Sequence, residues 1–354
     1  MSERLKKFRE LLDQNNVDAI IVTNPVNRHY LSGFSGTAGA LLVSSDEAYL
    51  VTDFRYIEQA AAQAPQFTIF RWKDDLYKCL VPLVEDAGWM KLGFESKHVV
   101  YSVYGEMKEK LPVELIPLDE TVEKLRIIKS DAELDILRRG TEVTDRAFDF
   151  IQSKIRPGMP EKELAVELEV FFLKHGADET SFRFIVASGK RGALPHGTAS
   201  GKVMEKGELV TIDFGAVFEG YATDMTRTVA LGSIDERSRE IYDIVYRAQE
   251  KSAAAVKAGL QCSEVDAVAR EIISEAGYES YFGHGLGHGV GMETHEQPVL
   301  NPRSKTILKP GMVVTVEPGI YIPGWGGVRI EDMVCVTDNG PEILTNSSRE
   351  LIVI

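Results

Sequence analysis

Cysteine is scarce in this 354-residue chain: Cys79, Cys262 and Cys335 are the only three, far apart and in no CxxC spacing. That argues against a thiolate zinc site and leaves buried free thiols as the plain reading. Long apolar runs are missing too. The longest are strand-sized, so no segment is expected to span a membrane. The opening stretch MSERLKKFRELLDQNN is charged throughout and lacks the apolar centre of a signal peptide, so the expected compartment is the cytoplasm. Basic residues are in deficit, 40 Lys and Arg against 54 Asp and Glu. The resulting net charge of −14 argues against nucleic acid as a partner. No GK[ST] phosphate loop occurs, and no register of GHGLGHGVG gives the GxGxxG dinucleotide fingerprint.

What is present is an ordinary globular composition, long enough for two domains. In the first segment Leu5, Phe8, Leu11 and Leu12 recur at helical spacing. AIIVT from Ala19, ALLVS from Ala40 and AYLVT from Ala48 read as strands. Near Leu118 the pattern changes to a long helical stretch, and Ser130-x-x-Glu133 matches a capping box that would start a new helix. The expected organisation is an α/β domain over 1–118, a linker over 119–129 and a second domain over 130–354.

The second segment carries an internal duplication. Gly158, Glu163 and Gly176 recur as Gly259, Glu264 and Gly277, each pair 101 positions apart, and both copies read as an amphipathic helix ending at a glycine. KGELVTIDFG from Lys206 likewise resembles KPGMVVTVEPG from Lys309. That alignment places Asp213 on Glu317, and its continuation places Asp224 on Glu331. With His288 these four carboxylates read as the ligand set of two divalent cations, which would make hydroxide available at neutral pH and polarise an oxygen. Taken singly, each carboxylate could be a surface charge. As a group they sit in apolar strands such as VTIDF and VVTVEP, which would otherwise bury unpaired charge. Strand alternation puts Thr211 with Asp213, Thr315 with Glu317, and Arg329 with Glu331 on shared faces. Oxygen-rich ligation with one imidazole favours manganese, with cobalt or zinc as alternatives.

At these residues the chain resembles the pita-bread metallopeptidases, which include methionine aminopeptidase, aminopeptidase P and prolidase. The order Asp213, Asp224, His288, Glu317, Glu331 meets the family's five-ligand pattern over roughly residues 130–354. The first third of the chain resembles the smaller domain of the proline-specific branch. The resemblance implies an α/β (α+β) fold: a C-terminal pita-bread domain of two pseudo-twofold halves, preceded by a smaller α/β domain. It implies an exopeptidase cleaving the N-terminal Xaa-Pro bond of peptides through hydroxide activated by two metals, acting as a homodimer. Asp224 and Glu331 would bridge the ions, Asp213 would complete one shell, and His288 and Glu317 the other. Glu317 would shuttle the proton, His295 would hydrogen-bond the tetrahedral intermediate, His196 would contact the substrate carbonyl, and His284 would line the proline pocket. Arg329 and Tyr321 match residues of the proline-specific branch and would contact substrate. An ion pair orienting Glu331 and a buried core tyrosine are their structural alternatives. GFSGTAG from Gly33 and TDFRY from Thr52 resemble phrases of the branch's first domain. Asp53, Arg55 and Tyr56 are therefore candidates for substrate-end or interface contacts, with a strand-end ion pair as the plainer reading. Methionine aminopeptidase and a non-catalytic pita-bread binding protein are the alternatives in function.

Overall fold

Leu5, Phe8 and Leu12 fall on one face of the first helix, Glu3–Asn15, and all three are buried. This is the burial that the helical spacing predicts. The computed structural model describes residues 3–354. The chain divides into two units, one ending at Arg126 and the other running from Ile127 to Ile354.

The first unit is built on one six-stranded sheet. Its order across the sheet is Thr68–Arg71, Ala48–Thr52, Ala40–Ser44, Ala19–Val22, Lys91–Glu95, Glu114–Leu118. The Ala40–Ser44 strand runs antiparallel to both neighbours and the remaining pairs are parallel. Ala19–Val22 and Ala40–Ser44 are buried at every position, as expected of strands covered on both faces. Residues 119–129, read above as a linker, carry a helix of their own, Thr121–Arg126. Val122 is fully buried, and Arg126 donates to Asn27 Oδ1 at 2.8 Å, which fastens this helix to the first unit.

In the second unit Ser130 begins the long Asp131–Gln152 helix. The Glu133 carboxylate accepts from both Ser130 N, at 2.8 Å, and Ser130 Oγ, at 2.6 Å, so the reach-back half of the capping box is in place. This helix and Glu161–Lys174 cover the sheet Ile185–Ser188, Leu209–Phe214, Met225–Ala230 over one core that includes Phe148, Phe172 and Phe214. Helices Glu236–Ala255 and Cys262–Glu275 cover a second core, on the sheet containing Val313–Val316 and Asp332–Thr337. The duplication read from the sequence is visible in the backbone. Gly158 and Gly259 have φ of 89° and 91°, and Gly176 and Gly277 have φ of 95° and 82°. An added Cβ would meet nothing within 4 Å at any of the four, so conformation rather than space demands glycine there.

Candidate metal centre

Four of the five expected ligand positions lie where a strand is ending or just beginning. Asp213 is the fifth residue of Leu209–Phe214, and Asp224 directly precedes Met225–Ala230. Glu317 directly follows Val313–Val316, and Glu331 falls between Gly326–Arg329 and Asp332–Thr337. His288 is the middle residue of the short strand Gly287–Gly289. The expectation of ligands inside regular strands therefore needs correction for Asp224, Glu317 and Glu331. Pro318 offers no N–H to extend the ladder past Glu317, and the backbone N–H of Glu331 leaves its own sheet for Thr226 O at 3.1 Å.

The structure brings these side chains together. One ligand atom each from Asp224, His288 and Glu331 lie within 4.8 Å of one another. His288 Nε2 is 3.3 Å from Glu317 Oε1 and 3.8 Å from Asp224 Oδ2. Its Nδ1 lies 3.1 Å from Gly289 O, a contact that only a protonated Nδ1 satisfies, so Nε2 presents its lone pair to the carboxylates. Burial drives the Asp224 and Glu331 carboxyls well above the ordinary range, and neighbouring carboxylates push them further; the Glu317 carboxyl is raised mainly by burial. Burial also depresses the His288 imidazole, which favours the neutral, ligating form. Among the described residues, buried Asp213 Oδ1 has no hydrogen-bond partner. An orphaned carboxylate oxygen beside three strained carboxyls and a neutral imidazole fits a site built for divalent cations, which would supply the missing positive charge.

Arg329 has a different partner from the one its strand position suggests. Its Nη2 donates to Asp213 Oδ2 at 2.7 Å, not to Glu331. It reaches Glu331 only through Thr226: Arg329 Nε donates to Thr226 Oγ1 at 3.0 Å, and Thr226 Oγ1 donates to Glu331 Oε2 at 2.6 Å. Its Nη1 donates to Pro195 O and to Tyr321 Oη, each at 3.1 Å. Tyr321 Oη also meets His284 Nε2 at 2.9 Å, and burial pushes the phenol up to about 12. Arg329 is almost fully buried and most of its donors are engaged, so an orienting role toward Asp213 accounts for its contacts.

The His295 ring lies 4.2 Å from that of His288, centre to centre, and the adjacent Glu296 is held by a buried ion pair with Lys129 at 2.6 Å. His196 is exposed in the segment after Pro195, while burial depresses the His284 and His295 imidazoles. In the first unit, Asp53 and Arg55 form a strand-end ion pair at 2.7 Å, and Tyr56 Oη bonds Thr37 Oγ1 at 2.6 Å. Sequence reasoning missed Thr226 and Lys129, while Thr315, placed by alternation on the face of Glu317, donates to Glu317 Oε1 at 3.1 Å. For Thr226 the same signal was there: it stands two positions from Asp224, where alternation gives it the same face.

Comparisons with known proteins identify the family. Residues 135–338 match metallopeptidase family M24, and residues 4–128 match the creatinase/prolidase N-terminal domain. The structure of an Xaa-Pro dipeptidase from Bacillus anthracis is 48% identical, with a TM-score of 0.98 over 99% of both chains. An Xaa-Pro dipeptidase of Pyrococcus furiosus is 42% identical over 99% of this chain and all of its own length. The structure of an X-Pro aminopeptidase from Thermotoga maritima is 38% identical, with a TM-score of 0.91 over 97% of this chain and 99% of its own.

Proposed function

The chain belongs to metallopeptidase family M24 with a creatinase/prolidase N-terminal domain, and on that footing we propose that it is an Xaa-Pro dipeptidase. It is a hydrolase of the Xaa-Pro metallopeptidase class. One observation carries the reading: the convergence of Asp224, His288 and Glu331 within 4.8 Å, beside the unpartnered oxygen of Asp213, in a chain that aligns end to end with Xaa-Pro dipeptidases. Asp213, Asp224, His288, Glu317 and Glu331 would hold two divalent ions, with manganese the choice that this donor set favours. What such ions supply when bound is Lewis-acid polarisation of a carbonyl and a water pKa lowered toward about 7.

The rest falls to the protein. The Xaa-Pro bond is a tertiary amide without N–H, so its nitrogen must gain a proton to leave as a secondary amine. Glu317, whose Oε1 lies 3.3 Å from His288 Nε2, would take a proton from the attacking water and pass it to that nitrogen. His295, packed on His288, would donate to the tetrahedral intermediate. His196 would contact the substrate carbonyl, and His284, backed by Tyr321 and edge-on to Phe282, would line the pocket for the proline ring. Arg329 would hold Asp213 in place rather than bind the peptide.

The test is a rate comparison after Mn²⁺ reconstitution on Ala-Pro, Ala-Pro-Ala and Met-Ala-Ala. Cleavage confined to Ala-Pro is the expected result. Preference for Ala-Pro-Ala would make the enzyme an aminopeptidase P, cleavage of Met-Ala-Ala alone would make it a methionine aminopeptidase, and inertness toward all three would favour a binding protein.

A further inference from the structure

Each of the two duplicated helices carries a buried carboxylate paired with an arginine, and neither pair belongs to the ligand set. On Glu161–Lys174, the fully buried Glu161 carboxylate accepts from Ser188 N and Oγ, both at 2.8 Å, and from Ser200 N at 3.2 Å and Oγ at 2.7 Å. It also accepts from Arg191 Nη1, and Arg191 donates onward to Val186 O at 3.2 Å and Thr198 O at 2.8 Å. One carboxylate thereby ties together the two ends of the segment 188–200, and that segment carries His196. Its middle is held as well: Pro195 O accepts from Arg329, and Gly192 packs so tightly that an added Cβ would lie 2.8 Å from Gly327 N.

The second helix repeats the device with different residues. Asp266 on Cys262–Glu275 is buried and accepts from Arg270 Nε at 2.8 Å, Arg270 Nη2 at 2.9 Å and Leu286 N at 3.0 Å. Arg270 also donates to Phe282 O at 3.1 Å and to His284 O at 2.9 Å. The segment 282–286, which carries His284, is thus fastened from both sides, and Leu286 O in turn accepts from Glu317 N at 2.8 Å. Charge-assisted bonds of this kind are strong, and a buried carboxylate without them would be costly.

We infer that Glu161–Arg191 and Asp266–Arg270 are matched positioning clamps, each fixing one substrate-facing histidine: His196 in the first half, His284 in the second. What the histidines do rests on the Xaa-Pro peptidase reading; how they are held does not. A reacting group displaced by about 1 Å loses up to about 100-fold in rate, so a clamp several residues away from the chemistry governs turnover.

The test uses the full chain and four variants: Arg191→Ala, Arg191→Lys, Arg270→Ala and Arg270→Lys. The lysine variants keep a positive charge beside the carboxylate, so the fold is preserved while the forked bonds to backbone carbonyls are lost. In the Mn²⁺-reconstituted enzyme acting on Ala-Pro, each variant should lower kcat about 10- to 100-fold. The Arg191 losses should vanish when measured in a His196→Ala background, and the Arg270 losses in a His284→Ala background. Losses that add in full in those backgrounds would overturn the clamps, since a merely structural role has no reason to act through one histidine. Amide hydrogen exchange of the metal-free protein gives an independent readout. Arg191 variants should speed exchange in 189–200 alone, and Arg270 variants in 282–288 alone; a uniform rise across the unit would also overturn the inference. Should the wild type cleave no Xaa-Pro substrate, the peptidase reading falls, and the exchange maps alone support or overturn the clamps.

Discussion

Glu317 combines two proposed duties in one side chain, as a metal ligand facing His288 and as the proton carrier. Glu317→Gln preserves the shape and the bond from Thr315 but removes both charge and basicity. Turnover of Ala-Pro should fall by at least about 100-fold, and a kcat near wild type would remove Glu317 from the mechanism. His295→Ala should lower kcat while metal content, read by elemental analysis, stays unchanged; metal loss would instead make His295 a ligand. Arg329 makes the clearest case for geometry over charge. Lysine keeps the charge but cannot reach Asp213, Thr226, Tyr321 and Pro195 at once. Arg329→Lys should weaken Mn²⁺ binding about 10- to 100-fold in calorimetric titration, the usual cost of losing a partner that orients a ligand. Unchanged affinity would return Arg329 to the substrate.

At the scale of elements, the duplicated glycines give a prediction with a built-in control. Gly176→Ala and Gly277→Ala force a Cβ into left-handed backbone at helix ends and should each cost about 1–2 kcal/mol in urea denaturation. Gly105 lies exposed inside the Tyr101–Lys110 helix with nothing within 4 Å of an added Cβ. Gly105→Ala should therefore stabilise by about 0.5–1 kcal/mol. Equal effects at the three sites would mean that backbone conformation is not what glycine serves at 176 and 277. The strands Ala40–Ser44 and Ala48–Thr52 were legible in the sequence to the residue, because apolar runs bounded by polar turns leave little choice. The five candidate ligands stood out because each stands in its own phrase, and three of them, Asp224, His288 and Glu331, come within 4.8 Å of one another. Glu161 was not. In EKELAVELE it is one of four glutamates, and nothing local separates the buried one from the three solvated ones; only the return of Ser188, Arg191 and Ser200 does so. Arg329 was half legible: alternation gave its face, but its true partner comes from a strand more than a hundred residues away.

Across the whole molecule, the acidic balance and the metal site are one problem. Four carboxylates gathered with Arg329 as the nearby cation leave the metal-free protein carrying repulsion that two divalent ions would offset. Mn²⁺ at about 100 times its Kd should add about 2.7 kcal/mol per bound ion to the stability of the unit Ile127–Ile354. The corresponding rise in Tm is about 5–10 °C, read by calorimetry of chelator-treated and reloaded protein. Identical melting curves would mean that the cluster holds no metal.

The proposed ligands are shared between the duplicated halves, with Asp213 and Asp224 from the first and His288, Glu317 and Glu331 from the second. An ion placed there is therefore a rivet, and its affinity is a gauge of how closely the halves are drawn together. A substitution in either hydrophobic core, touching no ligand, that let the halves part by a fraction of an ångström would register as leaked metal well before it registered as a lost fold.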